Sequence, residues 1–481
     1  MNKEFFKDKK CFIYPFSNST KILENHLTQI PLNFLGYVDK NLDGENIYKV
    51  EDIVLKEFDF IFIYSPNHER EIYNEITKYI SKEKIICVRF DEIKNDYIFL
   101  NDKEPLAEKF SYKNQLMDYF VEKQKNYILS KDVVLLIGID FIDLNIKYLY
   151  LYLKKYSNFK VYLATNNKRD IQIFKEHDID VIDYDTKEFI DLVFEASIKI
   201  IDHNPVDKLL VECLKIGKSV QLWHGITIET LGVLTNYKVL KYDIVLSTSP
   251  FVSEYSFSKI YDYKKIIHCG YPRNDVLHND GIEHINVDIN LLNEMKNDSY
   301  KYIVYMPTHR PLGFKSNPLD YEKLNQFAKD NELKIIIKMH PFVAQKIRDD
   351  LSSYQNKNIY LSNLIIHESH MDIYPLLKYS DMLISDYSSV YFDYLYVNKP
   401  IVFFCYDYEE WVNAEQGVIL DYFSHSPGDK CYMFEDLLDK VLVNLENDNY
   451  KEDRKLIFEK MFENKNQKAS SLLHEEIKKL L

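Results

Sequence analysis

Residues 301–310, KYIVYMPTHR, and residues 381–389, DMLISDYSS, decide the fold: each is a short apolar run, rich in β-branched and aromatic side chains, that breaks abruptly into polar residues. Continuous rather than alternating apolarity marks a strand buried on both faces, as in a parallel sheet covered by helices. Outward from these, KIIIKMHP (334–341), NIYLS (358–362) and PIVFFCYD (400–407) repeat the pattern, with helical stretches between them. Upstream, VVLLIGI (133–139), FKVYLATN (159–166), DVIDYD (180–185), SIKIIDHN (197–204) and KSVQLWHG (218–225) do the same. Strand alternating with helix predicts an α/β architecture. Two Rossmann-like halves in tandem are expected, 126–285 and 286–481, parted by the polar stretch DGIEHINVDINLLNEMKND (280–298).

Residues 1–125 read as an additional Rossmann-like domain, with strands at CFIYPF (11–16), NFLGYVD (33–39), DFIFIYS (59–65) and KIICVRF (84–90) and a helix within 68–80. The first turn, Phe16 to Thr20, lacks the glycine pattern of a dinucleotide site, so an accessory or acceptor-side role is the expectation there. At 481 residues, three domains agree with the usual ~100–200 residues per domain.

Composition excludes several function classes. The net charge of -14 argues against nucleic acid as the main partner, since phosphate-backbone binders carry basic faces. Six scattered cysteines without a CxxC pair indicate neither a disulfide framework nor a zinc site. No apolar run approaches the ~20 residues of a membrane span, and the first residues, MNKEFFKDKK, lack a signal-peptide core. A cytoplasmic protein is expected. The amphipathic, lysine-bearing stretch Ser470–Leu481 allows peripheral contact with a membrane, although a helix packed on the domain is the simpler reading.

The chemistry-bearing clusters follow strands, where ligands bind in such folds. His224 ends the strand in Gln221-Leu222-Trp223-His224-Gly225, either as a structural histidine or as a base that deprotonates an attacking hydroxyl. Thr308 and Arg310 follow Pro307 and offer a hydroxyl and a guanidinium fork for phosphate oxygens. His340, after Lys338, is placed to stabilise a developing phosphate charge or to protonate a leaving group. Ser388 and Ser389 read either as caps of a plain helix or as ligands at a phosphate-binding helix start. Asp386 fixes that turn or holds a donor hydroxyl. Arg273 and Asn274, in HCGYPRND (268–275), reach phosphates or else form a hinge in which Arg273 pairs with Asp275. Asp372 is a helix-dipole partner or a ligand contact. The strings Asp178-Ile179-Asp180 and Asp183-Tyr184-Asp185 resemble metal-binding pairs, with chance the simpler explanation in so acidic a chain.

In combination and in order, WHG, GYPRND, PT-x-R, K-x-HP and SDYSS-x-x-FDY resemble the CDP-glycerol glycerophosphotransferase family of teichoic acid and capsule polymerases and primases. The resemblance spans roughly residues 190–410 and does not reach residues 1–125. It implies a GT-B-like pair of Rossmann-like domains, the first acceptor-side and the second donor-binding. The implied reaction passes glycerol phosphate or a related polyol phosphate from a CDP-linked donor to a glycan or lipid-linked acceptor, releasing CMP at the inner face of the membrane. His224 matches the family's base and His340 its second histidine; Thr308, Arg310, Ser388 and Ser389 match diphosphate contacts, with Arg273 and Asp386 on the donor side. The motifs require no cofactor and leave divalent metal open. Ile226 stands where threonine is common, Glu229 where lysine is common, and His309 where tryptophan is common, which bears on acceptor or donor identity. A nucleotide-sugar glycosyltransferase, a nucleotide-sugar epimerase and a non-catalytic assembly subunit are compatible with the same fold.

Overall fold

The computed structural model describes residues 3–27, 32–40, 42, 44, 46–65, 69–91, 96–101, 106–139, 145–205, 207–230, 240–282, 284–308, 310, 318–339, 361–368, 370–414 and 417–481. The chain divides into two compact units, Met1–Glu122 and Lys123–Leu481.

The first unit is built on one sheet of β1 (Lys10–Tyr14), β2 (Asn33–Val38), β3 (Ile47–Tyr48), β4 (Phe60–Ile63), β5 (Ile85–Asp91) and β6 (Asp96–Asn101). The order is β3-β2-β1-β4-β5-β6, the doubly wound arrangement, with β6 antiparallel at one edge. Apolar side chains cover both faces, Phe12 and Ile61 in one core and Ile13 and Phe62 in the other. The sequence reading missed β3, which is too short to show a period, and the antiparallel β6.

The second unit carries two wholly parallel sheets. One holds β7 (Ser130–Ile137), β8 (Lys160–Thr165), β9 (Val181–Asp183), β10 (Ala196–Ile201), β11 (Lys218–Gln221), β12 (Lys241–Ser247) and β13 (Asp262–His268), in the order β13-β12-β11-β10-β7-β8-β9. The other holds β14 (Lys301–Tyr305), β15 (Leu333–Ile337), β16 (Leu364–Ile366), β17 (Met382–Ser385), β18 (Ile401–Phe404) and β19 (Asp429–Cys431), in the order β16-β15-β14-β17-β18-β19. Central strands such as β10 and β17 are buried at every position, as continuous apolar runs require.

Three strands of this unit were not anticipated. β13 and β19 are edge strands in which lysines and aspartates interrupt the apolar run, and β12 carries a buried Asp243 that accepts from the Ser219 amide and pairs with Lys264. The strand expected at 358–362 lies at Leu364–Ile366; residues 358–360 fall outside the described residues. The C-terminal helix, Ala469–Lys478, buries Leu473 and Ile477, and the Asp275 carboxylate accepts the amides of Ala469 and Ser470 at 2.6 and 3.1 Å. Its apolar face is therefore spent on the protein body. Among the described residues no helix is long and apolar enough to cross a membrane.

Candidate active site

Strand order reverses between β7 and β10 in one sheet and between β14 and β17 in the other, and open parallel sheets bind ligands beyond the carboxyl ends of their strands at such points. Asp202 and His203 follow β10, Trp223 and His224 follow β11, Thr308 and Arg310 follow β14, and Asp386 to Ser389 follow β17.

The His224 loop is aimed by its neighbours. Trp223 adopts φ 57°, a left-handed conformation that costs a non-glycine residue ~1–3 kcal/mol and persists only where surroundings hold it. They do so: the Trp223 amide donates to Gln221 Oε1 at 2.9 Å, and Asn145 Nδ2 donates to the Trp223 carbonyl at 2.7 Å. The resulting kink sets His224 Nδ1 at 3.1 Å from the Asp202 carbonyl. A carbonyl only accepts, so Nδ1 carries the proton and Nε2 keeps its lone pair. Burial, then the charge of His203, push the His224 pKa well below its ordinary value, with Arg273 adding to the effect and the Asp202 carbonyl opposing it. At neutral pH the ring is a neutral base.

The opposite wall is organised by Asp386. Its Oδ1 accepts the Thr308 amide at 2.8 Å, the Thr308 hydroxyl at 2.7 Å and the Ser388 amide at 3.2 Å, while Oδ2 lies 2.8 Å from Arg310 Nη2. These bonds fix the turn, one of the two readings open for Asp386. Arg310 is likewise committed: Nε and Nη2 donate to Asp407 at 2.5 and 2.8 Å, and Nη1 to the Thr308 carbonyl at 2.8 Å. Its fork faces carboxylates, so it shapes the phosphate-side loop rather than presenting a bare clamp. The expected cap is also different. The helix after Ser389 is only Val390–Tyr394, and the Ser389 side chain makes no capping bond. Instead it meets Gly225, where a Cβ would stand 2.6 Å from Ser389 Oγ. Glycine is needed at 225 because the two loops touch there, and that contact sets half-buried Ser389 one residue from His224.

Arg273 is where the sequence reading needs the largest correction. It pairs with Asp393, not Asp275: Nη2 and Nε donate to Asp393 Oδ2 at 2.7 and 3.1 Å, and Nη1 donates to the His224 carbonyl. Asn274 and the Tyr374 hydroxyl complete the shell of Asp393 at 2.9 and 2.7 Å. Asp372 accepts the Tyr374 amide at 2.9 Å at the start of its helix and is buried against Lys147 Nζ and the Tyr148 hydroxyl at 2.7 and 2.6 Å, joining a helix of one sheet to a loop of the other. His340 and His309 lie outside the described residues. The structure thus joins His224, Arg273 and Ser389 through Gly225, and Thr308, Arg310, Asp386 and Ser388 through Asp386. Sequence reasoning missed Asn145, Asp202, His203, Asp393 and Asp407. Of these, Asp202 and His203 obey the same strand-end rule that picked out His224. Among the described residues no cluster of three or more His, Cys, Asp or Glu could hold a metal ion, and Asp183 accepts the Asp185 amide at 3.0 Å and pairs with Lys168.

Two parallel sheets meeting through their strand-end loops, with an imidazole on one wall and hydroxyls on the other, define a GT-B-like α/β fold. Within that class, the chain belongs to the CDP-glycerol:poly(glycerophosphate) glycerophosphotransferase family, whose model matches residues 117–479. The teichoic acid poly(glycerol phosphate) polymerase of Staphylococcus epidermidis is 28% identical over 375 residues, covering 69% of this chain and 48% of that protein. The polymerase of the same description from Bacillus subtilis is 30% identical over 249 residues, 46% of this chain and 32% of its own length. The chain therefore spans about half or less of these relatives. The solved wall teichoic acid polymerase TagF superposes with a TM-score of 0.60 at 23% identity, covering 78% of this chain and 99% of that one, a likeness of fold.

Proposed function

We propose that the protein transfers glycerol phosphate, or a related polyol phosphate, from a CDP-linked donor to a hydroxyl of a teichoic-acid-like or other cell-surface glycan acceptor, releasing CMP. The observation that carries this reading is the pairing of a neutral, Nδ1-protonated His224 with the Ser389 hydroxyl across the Gly225 contact. Family membership supplies the donor class.

In the proposed step the acceptor hydroxyl gives its proton to His224 Nε2, and its oxygen attacks the phosphorus that bears the polyol. The bond from that phosphorus to the CMP oxygen breaks, and CMP leaves with the electron pair. Ser388, Ser389 and Thr308 line the donor side with hydroxyls, Asp386 and Arg310 hold that loop in shape, and His340 is assigned, from its match to the family motif alone, to balance the charge on the departing CMP. The sheet of β7–β13 is the acceptor side and that of β14–β19 the donor side. A lipid-linked acceptor would bring the enzyme to the inner membrane face. Ile226 is buried and Glu229 bridges to Val418, and these two of the three departures from the family motif follow β11, on the sheet assigned to the acceptor, and bear on acceptor or donor identity.

The test is incubation with a panel of CDP-linked and UDP-linked donors, reading which nucleotide appears. CMP from a CDP-polyol, dependent on an acceptor, supports the proposal. A nucleoside diphosphate from a nucleotide sugar would mean glycosyl transfer, and donor conversion without acceptor would mean epimerisation.

A further inference from the structure

Behind His224 lies a second imidazole that the proposed chemistry does not use. His203 stacks on the His224 ring, with centroids 4.1 Å apart and planes 14° from parallel. Its Nδ1 stands 2.8 Å from Asp202 Oδ1. Asp202 therefore holds both rings, one by its backbone carbonyl and the other by its carboxylate. The residue is fully buried, and its Oδ2 has no hydrogen-bond partner among the described residues. The basic side chain nearest to it there is His203. Gln221 ties the two loops together, donating from Nε2 to the His203 carbonyl at 3.0 Å while Oε1 holds the Trp223 amide.

A buried carboxylate with one oxygen unfilled is costly unless a positive charge forms close by. The acceptor's proton, once on His224, supplies that charge. We propose that Asp202 and His203 are a positioning pair for His224: they keep the proton on its Nδ1, leave Nε2 bare, and set a buried carboxylate and a flat π face beside the imidazolium that forms during transfer. No covalent bond is made by the pair. The O–H bond of the acceptor breaks, its proton goes to His224 Nε2, and the other proton stays on Nδ1, donated to the Asp202 carbonyl. The proposal rests on His224 being the base.

Among the described residues, the titratable and charged groups that face His224 come from two places. From the end of β10 come Asp202 and His203; from the turn after β13 comes Arg273, with Asp393 behind it. The two neighbours act in opposite senses. The Asp202 carbonyl favours the imidazolium, whereas His203 and Arg273 disfavour it. A carboxylate beside the ring also favours the charged form on general grounds, so under the proposal losing the Asp202 carboxylate charge lowers the pH at which His224 becomes a base, and losing His203 raises it.

The deciding experiment is the pH profile of CMP release from CDP-glycerol with a glycerol-phosphate-primed acceptor, for the wild type, His203→Phe, Asp202→Asn and His224→Ala. His203→Phe keeps a stacked ring and removes the ionisable one. We expect its acidic limb to move upward and that of Asp202→Asn to move downward, each by up to about one pH unit, with kcat reduced roughly tenfold and the donor KM unchanged. Limbs that superimpose on the wild type in both variants would overturn the pairing, even if kcat falls. Wild-type turnover by His224→Ala would instead overturn the reading of His224 as the base. Should Asp202→Asn not fold, His203→Phe decides alone by the position of its limb.

Discussion

Two arginines read alike in the sequence, each a candidate phosphate contact in a polar turn, and the structure gives them different work. Arg273 is 2% exposed; it crosses from the β13 turn of one sheet to Asp393 in the other and holds the His224 carbonyl on the way. Arg310 is 11% exposed and stays within its own sheet, tying the loops after β14, β17 and β18 through Asp386 and Asp407. Both forks are filled by carboxylates. What separates them is where the pair sits: a buried pair between sheets fixes how the walls face each other, and a pair at the cleft edge fixes the shape of one wall.

The comparison can be broken by removing one partner at a time. Arg273→Ala leaves Asp393 buried without its counter-charge, which should cost ~3–5 kcal/mol in a urea melt and abolish turnover with it. Replacing both, as Arg273→Met with Asp393→Leu, should return much of that stability but not the turnover, because the His224 carbonyl loses its anchor. A double variant with full activity would show the pair to be packing alone. Arg310→Ala should cost ~1–3 kcal/mol, the range for leaving charged hydrogen bonds unmade, and should raise the donor KM more than it lowers stability. Tyr374→Phe removes one hydroxyl from Asp393 and should cost ~0.5–1.5 kcal/mol in the same melt, with the donor KM untouched.

The architecture was legible because buried parallel strands announce themselves as unbroken apolar runs, and the candidate loops were legible because they follow those runs. Edge strands such as Asp262–His268 were not, since one side of an edge faces water and its lysines read as loop. Partners were not legible either. The motif SDYSS-x-x-FDY includes Asp393 but does not name its partner, and only the folded arrangement brings it to Arg273, 120 positions away. The reading of Arg273 as a phosphate ligand assigned a role by residue type, and type alone cannot say whether a guanidinium has a buried carboxylate waiting.

The central claim is that a single contact, Gly225 on Ser389, sets the base opposite the donor. Crystals of the His224→Ala variant soaked with CDP-glycerol test it most directly. The account predicts the diphosphate within hydrogen-bond reach of Ser388 and Ser389, with the phosphorus that carries glycerol facing position 224. A donor seated away from these serines, or with that phosphorus turned from position 224, would contradict it.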